Sequence, residues 1–292
     1  MADEKLDPVT GQRTTGHEWN GIEELNTRIP RLVFFFLAAA TLFSIVYWIL
    51  MPAWPTGRSY TKGVLGFDQR AAVTREVGEA AASRATWTNR IASESFEQIA
   101  ADPELMSYVR TAGHTPFIDN CAACHGVDGA GGAGFPNLAA RAWLWGGEPE
   151  TLAETIRTGI NSTSPDTRIS QMLAFGRDGM LQRDQVLAVA AYVRSLSGQK
   201  LDAADAARRE AGQIVFAENC VACHGDDARG KREVGAPNLT DTVWQYGGDA
   251  QSVYTSIYSG RQGHMPGWSQ RLSPTDIKLL TLYVGTLGEP KP

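Results

Sequence analysis

Residues 120–126 read NCAACHG and residues 219–225 read NCVACHG, and the only four cysteines of this 292-residue chain lie inside them. Two cysteines three apart, followed at once by histidine, set two thiols on one short helical turn with an imidazole beside them. That is the attachment spacing of a c-type haem: the thiols reach the two vinyl groups of one porphyrin, and the imidazole lies under its iron. Cys121, Cys124, Cys220 and Cys223 are therefore candidate cofactor-binding residues, and His125 and His224 candidate iron ligands. A covalently held porphyrin also supplies apolar core to a domain too small to build enough of its own. A zinc site joins cysteine pairs about 12–20 residues apart, and Cys121 and Cys220 are much farther apart than that. A thioredoxin-like pair follows a strand in a βαβ unit, and no such pattern flanks either motif. Disulfides would leave the repeated histidine unexplained.

The surroundings repeat with the motif, which makes the duplication structural. Gly113 and Phe117 precede the first motif as Gly212 and Phe216 precede the second. FPNL at 135–138 answers APNL at 236–239, WLWGG at 143–147 answers WQYGG at 244–248, and YVRSL at 192–196 answers YVGTL at 283–287. Two copies of one domain follow, 113–198 and 199–292, with the polar stretch SGQKLDAADAA as the joint. Helical periodicity runs throughout, and no run alternates as a strand does. EPETLAETIRTG and DAQSVYTSIYSG read as short helices ended by glycine in a left-handed cap. SPTDIKLLTLYVGTL carries Ser273 as N-cap, Pro274 at the first helical position and Asp276 at the third, with Leu272 and Ile277 as a staple; RDQVLAVAAYVRSL is its counterpart.

Iron held by one imidazole has a second axial position. Copy one offers Met172 and Met180, copy two offers His264 and Met265. MLAF at 172–175 matches MPGW at 265–268, which selects Met172 and Met265, each serving its own copy. Met180 then reads as a core side chain, and His264, His114 and His17 as surface residues. A thioether raises the reduction potential relative to a second imidazole and closes the iron to oxygen and peroxide. The pattern points to electron passage rather than substrate chemistry, and no nucleophile–base set or carboxylate pair competes. Each imidazole also needs an acceptor for its other N–H; the recurring Pro136 and Pro237, whose carbonyls are free, take that role. Trp143 and Trp244 line the haem pockets or the core, with the core as the default.

Residues 32–51, LVFFFLAAATLFSIVYWILM, carry no charge. At about 1.5 Å per residue such a helix spans roughly 30 Å, the hydrocarbon thickness of a bilayer. Trp48 and Trp54 suit its interface. The long leader and the lack of a small-residue cleavage site favour a retained span over a signal peptide. Basic flanks on the two sides are too similar to orient it. Because bacteria attach haem c outside the cytoplasmic membrane, and both motifs follow the span, the expectation is a single pass in the inner membrane with a cytoplasmic leader (1–31) and periplasmic haem domains. Residues 52–112 form a linker, with Trp87, Ile91, Phe96 and Ile99 favouring docking helices over a free tether. The net charge of -5 gives no sign of a nucleic-acid partner.

The glycine–aromatic helix, C-x-x-C-H, PNL, distal methionine and aromatic last helix make each copy resemble class I cytochrome c. GHEWNGIEELNTRIPR, the span and YWILMPAWP resemble the diheme, membrane-anchored subunit III of cbb3-type cytochrome c oxidases, as does TRISQMLAFGRDGML; copy one departs in having Leu173 where copy two has Pro266. The resemblance implies an all-α chain with one N-terminal transmembrane helix, two tandem class I domains and two covalent c haems. It implies electron transfer without a catalytic site of its own. Electrons would come from a c-type cytochrome or a quinol–cytochrome c reductase. They would pass through a monohaem subunit to the haem b, haem b3 and copper subunit, where oxygen is reduced and protons are pumped. A free-standing membrane-anchored diheme carrier is the alternative, and a diheme peroxidase a third reading.

Overall fold

The computed structural model describes residues 5–289. The first four residues of the expected leader and the last three of the expected second domain lie outside the described residues. The chain divides into two compact units, residues 1–83 and 84–292.

In the first unit the leader holds a β-hairpin, β1 (Thr14–Trp19) and β2 (Ile22–Leu25), which corrects the expectation that no part of the chain is strand. Trp19 pairs with Ile22, and the two residues between them, Asn20 and Gly21, have φ of 53° and 87°. Positive φ at both central positions is what the Asn-Gly hairpin turn requires. After Pro30 comes α1 (Arg31–Leu50), with no buried residue. A soluble core helix of this composition would be covered by protein; this one is exposed all round, as a membrane span is in the absence of lipid.

Helix α2 (Gln69–Ser93) ends in the second unit, where α3 (Phe96–Ala100) and α4 (Pro103–Asn120) follow. Ser95 and Gln98 form a capping box on α3, and Asp102 caps α4 by accepting the Glu104 and Leu105 amides. Arg90 ties the corner together, reaching Glu94 at 2.6 Å and Asp102 at 2.7 Å. Trp87 stacks on Tyr108, and Ile91 and Ile99 are fully buried. The end of the linker is docked rather than free.

The haem-motif helices are α5 (Ala122–His125) and α9 (Val221–His224). The remaining elements are α6 (Pro149–Thr158), α7 (Arg183–Leu196), α8 (Ala203–Asn219), a 3-10 turn at Arg232–Val234, α10 (Ala250–Ser259) and α11 (Pro274–Thr286). Two cores organise them, and they are built crosswise. The first joins Leu105, Val109 and Phe117 of α4 to Leu280, Tyr283 and Val284 of α11. The second joins Val186, Val189 and Val193 of α7 to Val215 and Phe216 of α8 and Ile257 of α10. Each copy's last helix completes the other copy's body. The sequence copies 113–198 and 199–292 are thus units of sequence, while the packed bodies exchange their final helices.

The joint explains the exchange. Only residues 197–202 separate α7 from α8, and helices joined so closely pack as neighbours. Arg194 of α7 meets Asp205 of α8 at 2.6 Å, with their side chains 12% and 14% exposed. Asp202 caps α8 through the Asp205 amide. Asp205→Ala strands a nearly buried guanidinium and is expected to cost about 3 kcal/mol. Chemical denaturation checks this; an unchanged midpoint would show that the hairpin does not depend on the pair.

Candidate haem centres

Each centre begins where a long helix runs into the motif. Cys121 ends α4 and Cys220 ends α8 with nearly the same backbone, φ/ψ of −114°/−36° and −112°/−29°. One further turn carries Cys124 and His125, and in the other copy Cys223 and His224. The four cysteines are free of disulfides. Cys121 packs on the first core and Cys220 on the second. Burial, with a smaller contribution from the neighbouring cysteine, pushes both thiols up to about 11. Thiols held neutral in apolar surroundings are poor metal–thiolate ligands. No group of three or more His, Cys, Asp or Glu side chains placed to hold a bare metal ion occurs among the described residues.

His125 Nδ1 lies 3.1 Å from the Pro136 carbonyl, and His224 Nδ1 lies 3.1 Å from that of Pro237. Burial pushes both imidazoles down, against the opposing effect of these hydrogen bonds. A neutral ring donating from Nδ1 keeps its Nε2 lone pair for iron. The loop after each motif is shaped by a glycine that the sequence reading passed over, six residues beyond each histidine. Gly131 and Gly230 donate backbone hydrogen bonds to the His125 and His224 carbonyls at 2.7 and 2.8 Å. A Cβ on either would stand 2.7 Å from the proline carbonyl carbon and oxygen. Both have positive φ. Only glycine lets the loop pass this close to the histidine's acceptor.

The methionines sit on segments that cross between the bodies. Arg168 stays with its own copy, Nε donating to Thr155 Oγ1 of α6 at 2.9 Å. Four residues on, Met172 exchanges backbone hydrogen bonds with Arg261, just past α10, at 2.8 and 3.1 Å. Met172 packs against the second core, which also holds Cys220. Likewise Arg261 Nε donates to Ser256 of α10, and Met265 pairs with Ile160, just past α6, through two bonds of 2.9 Å. Met265 therefore lies beside the end of α6, and Met172 lies on the core against which Cys220 also packs. Gly159 (φ 73°, ψ −174°) and Gly260 (φ 70°, ψ 175°) stop α6 and α10 in an extended conformation that only glycine adopts readily, rather than in the left-handed cap read from the sequence. A side chain at either would strike the backbone of the other copy's methionine segment.

Met180 is 51% exposed, which corrects its assignment to the core. His264 is exposed, with Nδ1 2.8 Å from the Asn161 carbonyl. Trp143 and Trp244 pack on the two cores as expected. A repeated pair went unread: Arg168 lies over the Trp145 ring at 5.0 Å, and Arg261 over Tyr246 at 4.2 Å. Their signal is an arginine four before each methionine and the aromatic of W-x-[WY]-G-G. Trp145 Nε1 is buried without an acceptor. An indole N–H beside a guanidinium suits a carboxylate, and haem carries two, so the donor set fits the cofactor.

Gly131→Ala is expected to displace the Pro136 carbonyl, costing about 1–3 kcal/mol. It would also raise the potential of the haem above His125, because an imidazole without that acceptor is a weaker base toward iron. Thermal unfolding and redox titration read the two effects; if both stay at wild-type values, the glycine's role is wrong.

Residues 11–58 match a family described as the N-terminal domain of cytochrome oxidase-cbb3, FixP. Residues 111–197 match cytochrome c, and 207–284 match cytochrome c oxidase, cbb3-type, subunit III. The chain is 48% identical, over 99% of both sequences, to the cbb3-type cytochrome c oxidase subunit FixP of Bradyrhizobium sp. (strain ORS 278). It is 43% identical to subunit CcoP of Azospirillum brasilense over 99% of both, and 43% identical to CcoP of Cereibacter sphaeroides over 94% of both. Two cytochrome c domains in such a subunit carry two covalent c-type haems. With one exposed apolar span ahead of two C-x-x-C-H centres, the chain belongs to the FixP/CcoP family, the diheme, membrane-anchored electron-transfer subunits III of cbb3-type cytochrome c oxidases.

Proposed function

We propose that this chain feeds electrons into a cbb3-type oxidase, taking them from a c-type cytochrome or a quinol–cytochrome c reductase. It passes them to a monohaem subunit and so to the haem b and copper subunit. The leader is cytoplasmic and the haem domains periplasmic, because c-type haem is attached outside the cytoplasmic membrane and both motifs follow α1. Haem supplies one-electron exchange at an iron that need bind no substrate. The chain's own residues hold it: Cys121 and Cys124 tether one haem, Cys220 and Cys223 the other, and Pro136 and Pro237 orient His125 and His224. Held by an imidazole and a thioether, an iron would offer no place to oxygen or peroxide.

One haem would be held by His125 and Met265, the other by His224 and Met172. What carries this reading is the packing of Met172 on the Cys220 core, together with the pairing of Met265 to Ile160 beside α6. Each haem would thus draw one protein ligand from each copy. Passing between the two centres, an electron stays within one interlocked protein body.

Methionine labelled with 13C at its methyl carbon tests the pairing in the reduced, solubilised chain. Met265 is expected to show nuclear Overhauser contacts to the haem that also contacts Trp143, and Met172 to the haem that contacts Trp244. The opposite pattern would restore ligation within each copy. Met265→His is expected to lower the potential of one haem only, the one above His125, since imidazole stabilises ferric iron better than a thioether does. Purification in mild detergent tests the assembly: haem b and copper are expected to accompany the chain, and a chain that purifies with c haem alone would favour a free-standing carrier.

A further inference from the structure

The end of α1 is finished by a structure that the electron-transfer role leaves unused. Four carbonyls at a helix C-terminus lack partners within the helix, and here the chain folds back to supply donors. Val64 and Leu65 donate to the Ile49 and Leu50 carbonyls at 2.9 and 3.1 Å. Gly63, at φ 71°, makes the close approach, since any side chain there would strike Leu50. Residues 54–61 form a tight hairpin, with Pro55 opposite Tyr60 and Trp54 packed on Trp48 at 4.9 Å.

This cap is amphipathic. Trp54, Val64 and Leu65 are exposed. Alongside is a cavity of about 400 Å³ lined by Arg58, Lys62 and Arg70, with Ser59, Tyr60 and Asp68. Asp68 is engaged, accepting the Ala71 amide at 3.1 Å at the start of α2. The three cations make no ion pair among the described residues, and the lining carries two net positive charges. Unpaired cations, hydroxyl donors and exposed aromatics at the end of a bilayer-length helix lie where lipid phosphates lie.

We propose that this cavity binds the phosphate of an anionic phospholipid in the leaflet where α1 ends. The three cations hold the charge, the Ser59 and Tyr60 hydroxyls donate to phosphate oxygens, and Trp54, Val64 and Leu65 rest among the upper acyl chains. The proposal requires that α1 span a bilayer, and it is independent of which methionine serves which haem.

Native mass spectrometry of the haem-loaded full chain in detergent tests it, with phosphatidylglycerol, phosphatidylcholine or inorganic phosphate as probe. One phosphatidylglycerol is expected to bind in preference to phosphatidylcholine by about 10-fold. R58Q/K62Q/R70Q is expected to lose that preference while keeping the low, narrow charge-state distribution of the wild-type chain, which shows that it folds. A variant that still prefers phosphatidylglycerol would overturn the site. So would wild-type protein showing no preference, or inorganic phosphate binding as well as the lipid, which would mark a free-anion site. If the variant keeps its lipid preference but no longer assembles with other oxidase subunits, the cations belong to a protein contact instead.

Discussion

One kind of close approach, made twice, decides how the two haem bodies are put together: a buried glycine on one helix lying under a tyrosine-bearing turn of another. Gly113 of α4 sits beneath Tyr283 of α11, where an added Cβ would come 2.6 Å from the tyrosine Cβ. Gly212 of α8 sits beneath Ala188 and Tyr192 of α7 in the same way. These contacts let two helix backbones approach closely enough to brace the haem motif that follows each first helix. Because the partner in each case comes from the other copy, everything downstream is exchanged as well, including the methionine segments and the final helices.

The exchange changes what a domain means here. Both bodies contain chain from both copies, and the connections run past each other twice, between Arg168 and Met172 and between Arg261 and Met265. Asn161 pins the crossing, its side-chain amide donating to the Gly263 carbonyl at 2.7 Å and the Ser170 carbonyl at 2.8 Å. Gln245 reaches Gly134 across the same region at 2.9 Å, and Arg232 meets Glu148. Duplicated domains that exchange an element gain an interface without new surface having to evolve, because each interface is the one a single copy would have used. For a protein that moves electrons between two centres, this packing limits relative motion of the halves more than a flexible linker would.

Much of this was legible in the sequence, for local reasons. C-x-x-C-H acts over five residues, so Cys121 to His125 and Cys220 to His224 could be proposed as haem attachment sites without a fold. Pro136 and Pro237 followed from their recurrence, and the Ser273 capping box from three neighbouring letters. The exchange was harder to see. Tyr192 and Tyr283 offer nearly the same face to Gly113 and Gly212, so aligning the copies cannot tell which pairs with which. The deciding signal was the brevity of residues 197–202, part of the stretch 197–207 that reads as a joint but turns α7 directly into α8. Met180 misled because methionine composition says nothing of exposure. The leader's hairpin was announced by Asn20-Gly21, a turn signal overlooked beside so much helix. Gly131 and Gly230 were hidden among many loop glycines until the proline carbonyls beside them gave the reason for them.

The central claim is that α11 belongs to the body of the first haem motif. Glu289, just beyond α11, reports on it directly, lying 3.1 Å from Arg141 and 3.6 Å from Arg110 of α4. A photo-reactive benzoylphenylalanine at position 289 of the full haem-loaded chain, irradiated and digested, shows by mass spectrometry which segment it touches. Cross-links to the peptides holding Arg110 or Arg141 are the predicted result. Cross-links to α8 or to the loop around Leu239 would place α11 on its own copy and contradict the exchanged architecture.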